Sequence, residues 1–478
     1  MAETPTSPSD STHPPKHLNF HDARASIVQS AIRHMLHHHE GPKTGFWAHH
    51  PLMRRAVDAL HPLVAHRRGT QPMTGTAPAD VEHPKSQKKE CIHLLVNYLE
   101  ARLAGDEDLL SALRDEFRFS HCDPGWLETV EQYLLNYRLE HREPDYRQEE
   151  DDTKLVFELP RPGQTPGTED RQDLVIGLLS DWGTGEDVAL VVLDRLMDHR
   201  PDVILHLGDV YYSGTPDEMR RYALEPFQAA RKRYGYDVPI FNLPGNHDYY
   251  AGGEGFYRLI DQLNAGLPQG PQGASYFSLV NDHWQIQGLD TSYHDHDYFE
   301  VEGSVTRLRQ AEADWHRRKI EEGIAAGRKI ILTSHHQYFS AYKTLGSEPM
   351  GRPAGANYNP NLAEVFGEYI DAGHVAAWFW GHEHVLSLYR PYQGLARGRC
   401  VGHGAFPVFA YEKPYEAIHP DVPVDDSVRL GISGDVYDHG YAVLRLDGAR
   451  ATVDYYSLPG IATRETPGEV QRMATESF

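Results

Sequence analysis

Val375-Ala-Ala-Trp-Phe-Trp380 runs directly into Gly381-His382-Glu383-His384, and this junction of an apolar run with a polar group also occurs at several earlier points, from residue 174 onward. The apolar run is short and rich in aromatic residues, which is typical of a buried β-strand. Two histidines spaced i, i+2 in an extended segment point to the same side, so they can offer nitrogens to one metal ion or to two neighbouring ions. Alone, the pair is explained equally well by ordinary surface or core histidines in a chain that contains 30 of them.

Other short apolar runs precede this one. The six runs span residues 174–179, 203–207, 239–243, 284–289, 329–332 and 375–380. Helices are predicted at 186–198, 217–233, 306–325 and 361–372. Strands that alternate with helices are the signature of an α/β domain, so the chain from about residue 173 onward is predicted to be one.

Five of the six runs end in residues that commonly bind metals. The first four groups are Ser180-Asp181-Trp182-Gly183, Gly208-Asp209-Val210-Tyr211-Tyr212, Gly245-Asn246-His247-Asp248 and Ser334-His335-His336, and the fifth is the 381–384 segment. An aspartate or asparagine after a strand is often only a helix cap or a turn former. Five such groups at strand ends, where α/β sheets bind their ligands, predict a site.

The residue types indicate which metals this site would hold. Carboxylate, amide, imidazole and phenol ligands without a thiolate favour Zn²⁺, Mn²⁺ or iron. Seven ligands are too many for one catalytic ion that keeps an open position. They suit two ions that share a carboxylate and lie ~3.5–4 Å apart.

The order Asp-x-Gly, Gly-Asp-x-x-Tyr, Gly-Asn-His-Asp, a lone His after a strand and Gly-His-x-His resembles the calcineurin-like metallophosphoesterases over residues about 173–410. Within that superfamily it is most similar to the purple acid phosphatase branch and its tartrate-resistant members. Gly183 stands where most of the superfamily has a histidine, and Tyr212 follows Asp209 by three residues. The resemblance implies a metallophosphoesterase-like β-sandwich flanked by helices.

The resemblance also implies how the ligands are shared. For the first metal, Fe³⁺ in that family, the ligands would be Asp181, Tyr212 and His384. For the second, a divalent Fe, Zn or Mn ion, they would be Asn246, His335 and His382. Asp209 would bridge the two ions, and a Tyr212 phenolate on Fe³⁺ would colour the protein. The usual His-x-Pro motif is His335-His336-Gln337 here, so His336 remains an alternative to His335.

The activity that follows from this resemblance is hydrolysis of phosphate esters by a metal-bound hydroxide. Two cations lower the pKa of a bound water, and they neutralise charge on the phosphoryl group in the transition state. His247 would protonate the leaving alkoxide or steady the phosphoryl group. An acid phosphatase-like phosphomonoesterase is the main reading. A phosphodiesterase or nucleotide hydrolase, or a non-catalytic interaction protein with a structural metal centre, is an alternative.

Composition restricts partners and compartment. The net charge of −23 disfavours binding to nucleic-acid polymers, so a small phosphorylated substrate is expected. Cys91, Cys122 and Cys400 are odd in number and far apart, which indicates a reducing compartment. The chain begins without a signal pattern and has no apolar run near the ~20 residues that span a membrane, so a cytoplasmic location without membrane contact is expected.

The remaining segments complete the expected organisation. We predict a disordered tail at 1–16, a helical bundle at 17–142, a linker at 143–172, the catalytic domain at 173–460 and a C-terminal tail at 461–478. The bundle carries a His-rich stretch that is interpreted as solvated, and it is a possible surface for a protein partner. Three features are candidates for the mouth of the site: His403, the pair His294 and His296, and the loop 341–360.

Overall fold

The computed structural model describes residues 132, 136–137, 142–149, 151–295, 306–345 and 357–478. These residues belong to one compact unit, Gln132–Phe478. The predicted tail at 1–16 and nearly all of the predicted bundle at 17–142, including its His-rich stretch, lie outside the described residues. Within the described ranges no helix is both long and apolar enough to cross a membrane.

The strands of the described chain come in the following order. They are β1 (Val156–Glu158), β2 (Leu174–Leu179), β3 (Val203–His206), β4 (Ile240–Asn242), β5 (Phe277–Val280), β6 (Trp284–Leu289), β7 (Lys329–Ser334), β8 (Val375–Trp380), β9 (Leu386–Leu388), β10 (Gly398–Val401), β11 (Ile432–Ser433), β12 (Val436–Tyr437), β13 (His439–Asp447), β14 (Arg450–Leu458) and β15 (Gln471–Ser477).

The helices lie mostly in the first half of the described chain. They are α1 (Asp187–Met197), α2 (Pro216–Met219), α3 (Glu225–Tyr234), α4 (Asn246–Tyr250), α5 (Glu254–Leu263), α6 (Gln310–Ala325) and α7 (Pro360–Asp371). A π-helical segment, Arg220–Leu224, joins α2 to α3. Short 3-10 turns occupy Asp152–Leu155 and Ala410–Glu412.

Two mixed sheets contain nearly all of these strands. The seven-stranded sheet has the order β1-β5-β6-β7-β8-β10-β9, and the six-stranded sheet has the order β15-β14-β13-β2-β3-β4. Strands β2, β3 and β4 run parallel to one another, as do β6, β7 and β8. Neighbouring parallel strands end at the same edge of their sheet, so the groups that follow them can meet there.

Strand β2 shows how the layers pack. Its alternate residues Leu174, Ile176 and Leu178 lie in one hydrophobic core with residues of the seven-stranded sheet and of α6 and α7. The intervening Val175 and Leu179 lie in a second core with the apolar faces of α1 and α5. Because successive side chains of a strand point to opposite faces, β2 is buried on both. The fold is therefore the predicted β-sandwich flanked by helices.

All six predicted strands are present as β2, β3, β4, β6, β7 and β8, and each predicted helix has a counterpart in α1, the 216–234 helical region, α6 and α7. Two segments that flank the predicted catalytic core differ from the prediction. The 143–172 segment contains β1, which adds to the seven-stranded sheet beside β5. The 461–478 segment contains β15, which pairs with β14. Both are edge strands, and their short or polar sequences carry no strong apolar period.

Candidate metal centre

The predicted ligand groups meet at one edge of the sandwich. They follow β2, β3 and β4 of one sheet and β7 and β8 of the other. Four of the seven non-glycine residues with positive φ in the described chain are predicted ligands: Asp181, Asp209, His382 and His384. A left-handed backbone at such residues costs roughly 1–2 kcal/mol each, and strain of this kind is concentrated at functional sites.

Glycines allow the loops to approach closely. A Cβ atom on Gly245 would lie 1.9 Å from Oδ1 of Asp209, and one on Gly381 would lie 1.8 Å from Oγ of Ser180. Separations this short are impossible for real side chains. The glycines of the Gly-Asn-His-Asp and Gly-His-Glu-His segments are therefore required for the loops to close around the centre.

The first cluster consists of Asp181, Asp209, Tyr211 and His384. The Nε2 atom of His384 lies 3.3 Å from Oδ1 of Asp181. The Tyr211 hydroxyl lies 3.2 Å from Oδ1 of Asp181, 2.9 Å from Oδ2 of Asp209 and 2.9 Å from Nε2 of His384. Asp181, Asp209 and Tyr211 are buried, whereas the His384 side chain is 22% exposed. These four side chains offer three oxygens and one nitrogen to a common point.

The tyrosine hydroxyl in this cluster belongs to Tyr211, whereas sequence analysis named Tyr212. Tyr212 contributes backbone groups next to the site: its N–H donates to Glu218, and its carbonyl accepts from Nδ1 of His247 at 2.6 Å. The Tyr211–Tyr212 peptide is cis. Asp209 in the loop after β3 has a φ of 73°, so the loop leaves the strand's alternation and residue spacing alone does not determine which of two adjacent tyrosines faces the cluster.

The second cluster consists of Asn246, His335 and His382. The Oδ1 atom of Asn246 lies 3.1 Å from Nε2 of His335 and 3.1 Å from Nδ1 of His382, and the two imidazole nitrogens are 3.3 Å apart. The amide nitrogen of Asn246 donates to the Tyr250 hydroxyl at 2.6 Å. That hydrogen bond leaves Oδ1 of Asn246 directed at the imidazoles.

Asp209 lies between the two clusters. Its Oδ2 atom accepts from Tyr211 in the first cluster and is 3.4 Å from Nε2 of His335 in the second. Its Oδ1 atom accepts from the backbone N–H of His247 at 3.1 Å. This is the placement that a bridging carboxylate requires.

His335 and His336 differ in what their rings face. Nδ1 of His335 donates to the Leu207 carbonyl at 2.9 Å, which leaves Nε2 directed at Asn246 and Asp209. Nε2 of His336 instead faces Asp295 at 2.8 Å, although its ring packs 4.4 Å from that of His382. A backbone acceptor on the distant nitrogen is the usual support of a metal-binding histidine, so the geometry favours His335.

His247 lies beside Asp209 and is buried. Because its Nδ1 donates to the Tyr212 carbonyl, its Nε2 faces inward, 4.0 Å from Oδ2 of Asp209. The ring packs between Tyr211 and Tyr250, with centroids 4.6 and 4.8 Å away. Nε2 is therefore the ring nitrogen directed toward the centre.

The pKa shifts of the clustered side chains indicate whether cations fit between the two ligand clusters. The side-chain oxygens of Asp209 and Asn246 lie 3.1–3.4 Å from imidazole nitrogens of His335 and His382. Burial alone would lower the pKa of His335, but Asp209 outweighs it and raises that pKa to about 9. Burial opposes ionisation of Asp209, yet His335 and His247 hold its pKa well below the usual range. Both shifts show that the buried Asp209 carboxylate is stabilised by positive charge beside it, so this set of oxygen and nitrogen donors fits metal ions.

Sequence reasoning missed Asp248, the last residue of Gly-Asn-His-Asp. Its carboxylate accepts the backbone N–H groups of Gly245 at 2.7 Å, Asp209 at 3.1 Å and Val210 at 2.8 Å. These bonds hold the loop after β3 against the loop after β4. Its position directly after a ligand motif was the available signal.

The three features predicted to lie at the mouth of the site differ in their positions. His403 is 1% exposed, and its Nε2 lies 3.1 Å from the Tyr456 carbonyl, so it lies in the interior rather than at the mouth. His294 is partly exposed and packs edge-on against Tyr293. His296 and most of the 341–360 loop lie outside the described residues.

A sandwich of two mixed sheets with two such ligand clusters at its edge defines a metallophosphoesterase fold. Residues 174–386 match the family model of calcineurin-like phosphoesterases. The family and the two groups of candidate ligands, Asp181, Asp209 and His384 and then His335, His336 and His382, support a phosphoester hydrolase with a binuclear metal centre.

The solved structures to which this chain is similar are distant in sequence. A purple acid phosphatase from yellow lupin (Lupinus luteus) seeds is 14% identical, with 66% of this chain and 55% of the lupin chain covered and a TM-score of 0.41. A dimetal phosphatase from Danio rerio is 13% identical, with 63% and 98% covered and a TM-score of 0.39. GAP50, described as the anchor in the inner membrane complex of Plasmodium, is 13% identical, with 64% and 90% covered and a TM-score of 0.35. The chain matches no curated protein.

Proposed function

We propose that this protein hydrolyses phosphate monoesters of small molecules at a two-metal centre. The observation that carries the proposal is Asp209, whose Oδ2 faces Tyr211 in one cluster and His335 in the other. A shared carboxylate between two ligand groups is the arrangement of two-metal hydrolases. The net charge of −23 favours small substrates over nucleic-acid polymers.

The ligands divide between two ions. Asp181, Tyr211 and His384 would hold the first, which we propose is Fe³⁺. Asn246, His335 and His382 would hold the second, a divalent Fe, Zn or Mn ion. Asp209 would belong to both. When bound, the metal pair supplies an activated water molecule and neutralises phosphoryl charge.

Residues of this chain orient the groups that take part in the reaction. Nδ1 of His247 is fixed by the Tyr212 carbonyl, so Nε2 is the atom that carries a proton toward the leaving oxygen. Burial lowers the pKa of His247, so the imidazolium needs the negative phosphate beside it. Asp248 keeps the His247 and Asp209 loops together through its three backbone hydrogen bonds.

The experiment compares two substrates on metal-loaded protein. A monoesterase hydrolyses para-nitrophenyl phosphate with a kcat/KM well above that for the bis-ester. A reversed preference would indicate a phosphodiesterase or nucleotide hydrolase with the same centre. Metal-loaded protein that is silent on both esters and on a broad phosphoester panel would contradict catalysis and favour a metal-bound interaction protein.

A further inference from the structure

The turn at residues 290–295, which follows β6, touches both loops that carry the second cluster. The Ser292 hydroxyl donates to the carbonyl of Pro244, two residues before Asn246, at 2.8 Å. The Thr291 hydroxyl accepts the backbone N–H of His336 at 3.0 Å and lies 3.1 Å from Nδ1 of its ring. Both hydroxyl-bearing residues are fully buried. This turn therefore sets the spacing between the Asn246 loop and the His335 loop.

Asp290 fixes the shape of that turn. Its Oδ1 atom accepts the backbone N–H groups of Ser292 and Tyr293, each at 3.0 Å. Its Oδ2 atom accepts from the Tyr249 hydroxyl at 2.6 Å, which ties the turn to α4, the helix that begins with Asn246. The backbone N–H of Asp290 donates to Oε1 of Glu312 at 2.8 Å.

Tyr146 holds the other oxygen of Glu312. Its hydroxyl donates to Oε2 at 3.0 Å, and the Glu312 side chain is 0% exposed. The Tyr146 ring packs edge-on against Tyr293 of the turn at 5.1 Å, and the Arg309 guanidinium lies over both rings at 4.6 and 4.7 Å. Tyr146 lies in the segment that sequence analysis assigned to the linker and outside the 174–386 family match.

We propose that Tyr146 is a positioning residue for the second metal site and acts through Glu312 and the 290–295 turn. The inference rests on the proposed two-metal function. Its distinctive consequence is selectivity, because the contacts described lead from Tyr146 to the Asn246 and His335 loops. The first cluster has a support of its own: Asp181 accepts from the Ser180 hydroxyl at 2.6 Å.

The test is zinc binding to metal-free, full-length protein by titration calorimetry. Tyr146→Phe keeps the ring and removes only the hydroxyl. If part of the free energy of this hydrogen bond is lost at the second metal site, the affinity of one of the two binding events should fall by about 3- to 10-fold. The affinity of the other event should stay within about 2-fold. Asn246→Ala identifies that event as the second site by abolishing it.

The matched control is Tyr369→Phe. Tyr369 also donates to a glutamate of α6, Glu321, at 3.1 Å, but that pair lies elsewhere on the helix. The control should bind both ions as wild type does. Thr291→Val, which removes the hydroxyl beside His336, should weaken the same binding event as Tyr146→Phe. It replaces Tyr146→Phe as the test variant if that protein folds poorly.

The outcomes separate the two claims. Wild-type protein that binds no zinc overturns the proposed function and this inference with it. The positioning role alone is overturned if wild-type protein shows two binding events but both variants, Tyr146→Phe and Thr291→Val, bind zinc as wild type does. Equal weakening of both events in these variants overturns it as well. Selective weakening of the second event in both variants supports it.

Discussion

Replacing Tyr211 by Phe tests which tyrosine belongs to the first metal site. The hydroxyl contacts two carboxylates and one imidazole, and its shortest carboxylate contact is 2.9 Å, to Asp209. Burial and the two carboxylates raise the pKa of Tyr211 well above its usual value, so the phenol stays protonated unless a cation lies beside it. One charge-assisted contact contributes ~1.5–3 kcal/mol, and ~2 kcal/mol corresponds to ~30-fold in affinity for the first ion.

The assay has two readouts and a matched control. Competition with a chelating dye measures the affinity of the first site, and the visible absorbance of iron-loaded protein reports a phenolate on Fe³⁺. Tyr211→Phe should lose about 30-fold in affinity together with the band. Tyr212→Phe removes one oxygen from the adjacent residue and should change neither. The assignment to Tyr211 is refuted if Tyr212→Phe loses the band while Tyr211→Phe keeps it.

Three further predictions concern single side chains. Burial raises the pKa of Glu312 from 4.5 to about 8, so the stability contributed by its protonated form is fully present below pH 4.5 and declines as pH rises to 8. The decline between pH 5 and 7 should be on the order of 2–3 kcal/mol, and melting curves of Glu312→Gln should show a flatter pH dependence; an unchanged slope would contradict the shift. His335→Ala should abolish the second zinc-binding event, whereas His336→Ala should retain it in weakened form; the reverse would make His336 the ligand. His247→Ala should keep both ions yet lose ~10²–10⁴ in kcat on para-nitrophenyl phosphate, and wild-type activity would exclude its role as an acid.

The sequence predicted the strands, the helices between them and the meeting of the ligand groups because these depend on local pattern, whereas the sandwich was implied by the family resemblance. Short apolar runs mark buried strands, and polar groups directly after parallel strands must lie at one edge of a sheet. Strand β8 and the Gly-His-Glu-His segment that directly follows it are an example of this rule. Prediction was accurate where the backbone is regular up to the last residue of a strand.

Prediction was weaker where the backbone leaves the strand. The hydroxyl of Tyr211 rather than Tyr212 faces the first cluster because the loop after β3 does not continue the strand's alternation. The 290–295 turn escaped notice because Thr291 and Ser292 are not metal-ligand types, although they contact both ligand loops. The edge strand β15 has a mostly polar sequence, and pairing with β14 defines it. Such features depend on tertiary contacts that no local pattern records.

Elemental analysis of metal-loaded protein tests the central claim most directly. Wild-type protein, loaded and then dialysed, should carry two metal ions per chain. Asp209→Ala should carry almost none, because its carboxylate lies between both clusters. Wild-type protein that retains one ion or none, or Asp209→Ala that retains two, would contradict a binuclear centre bridged by this residue.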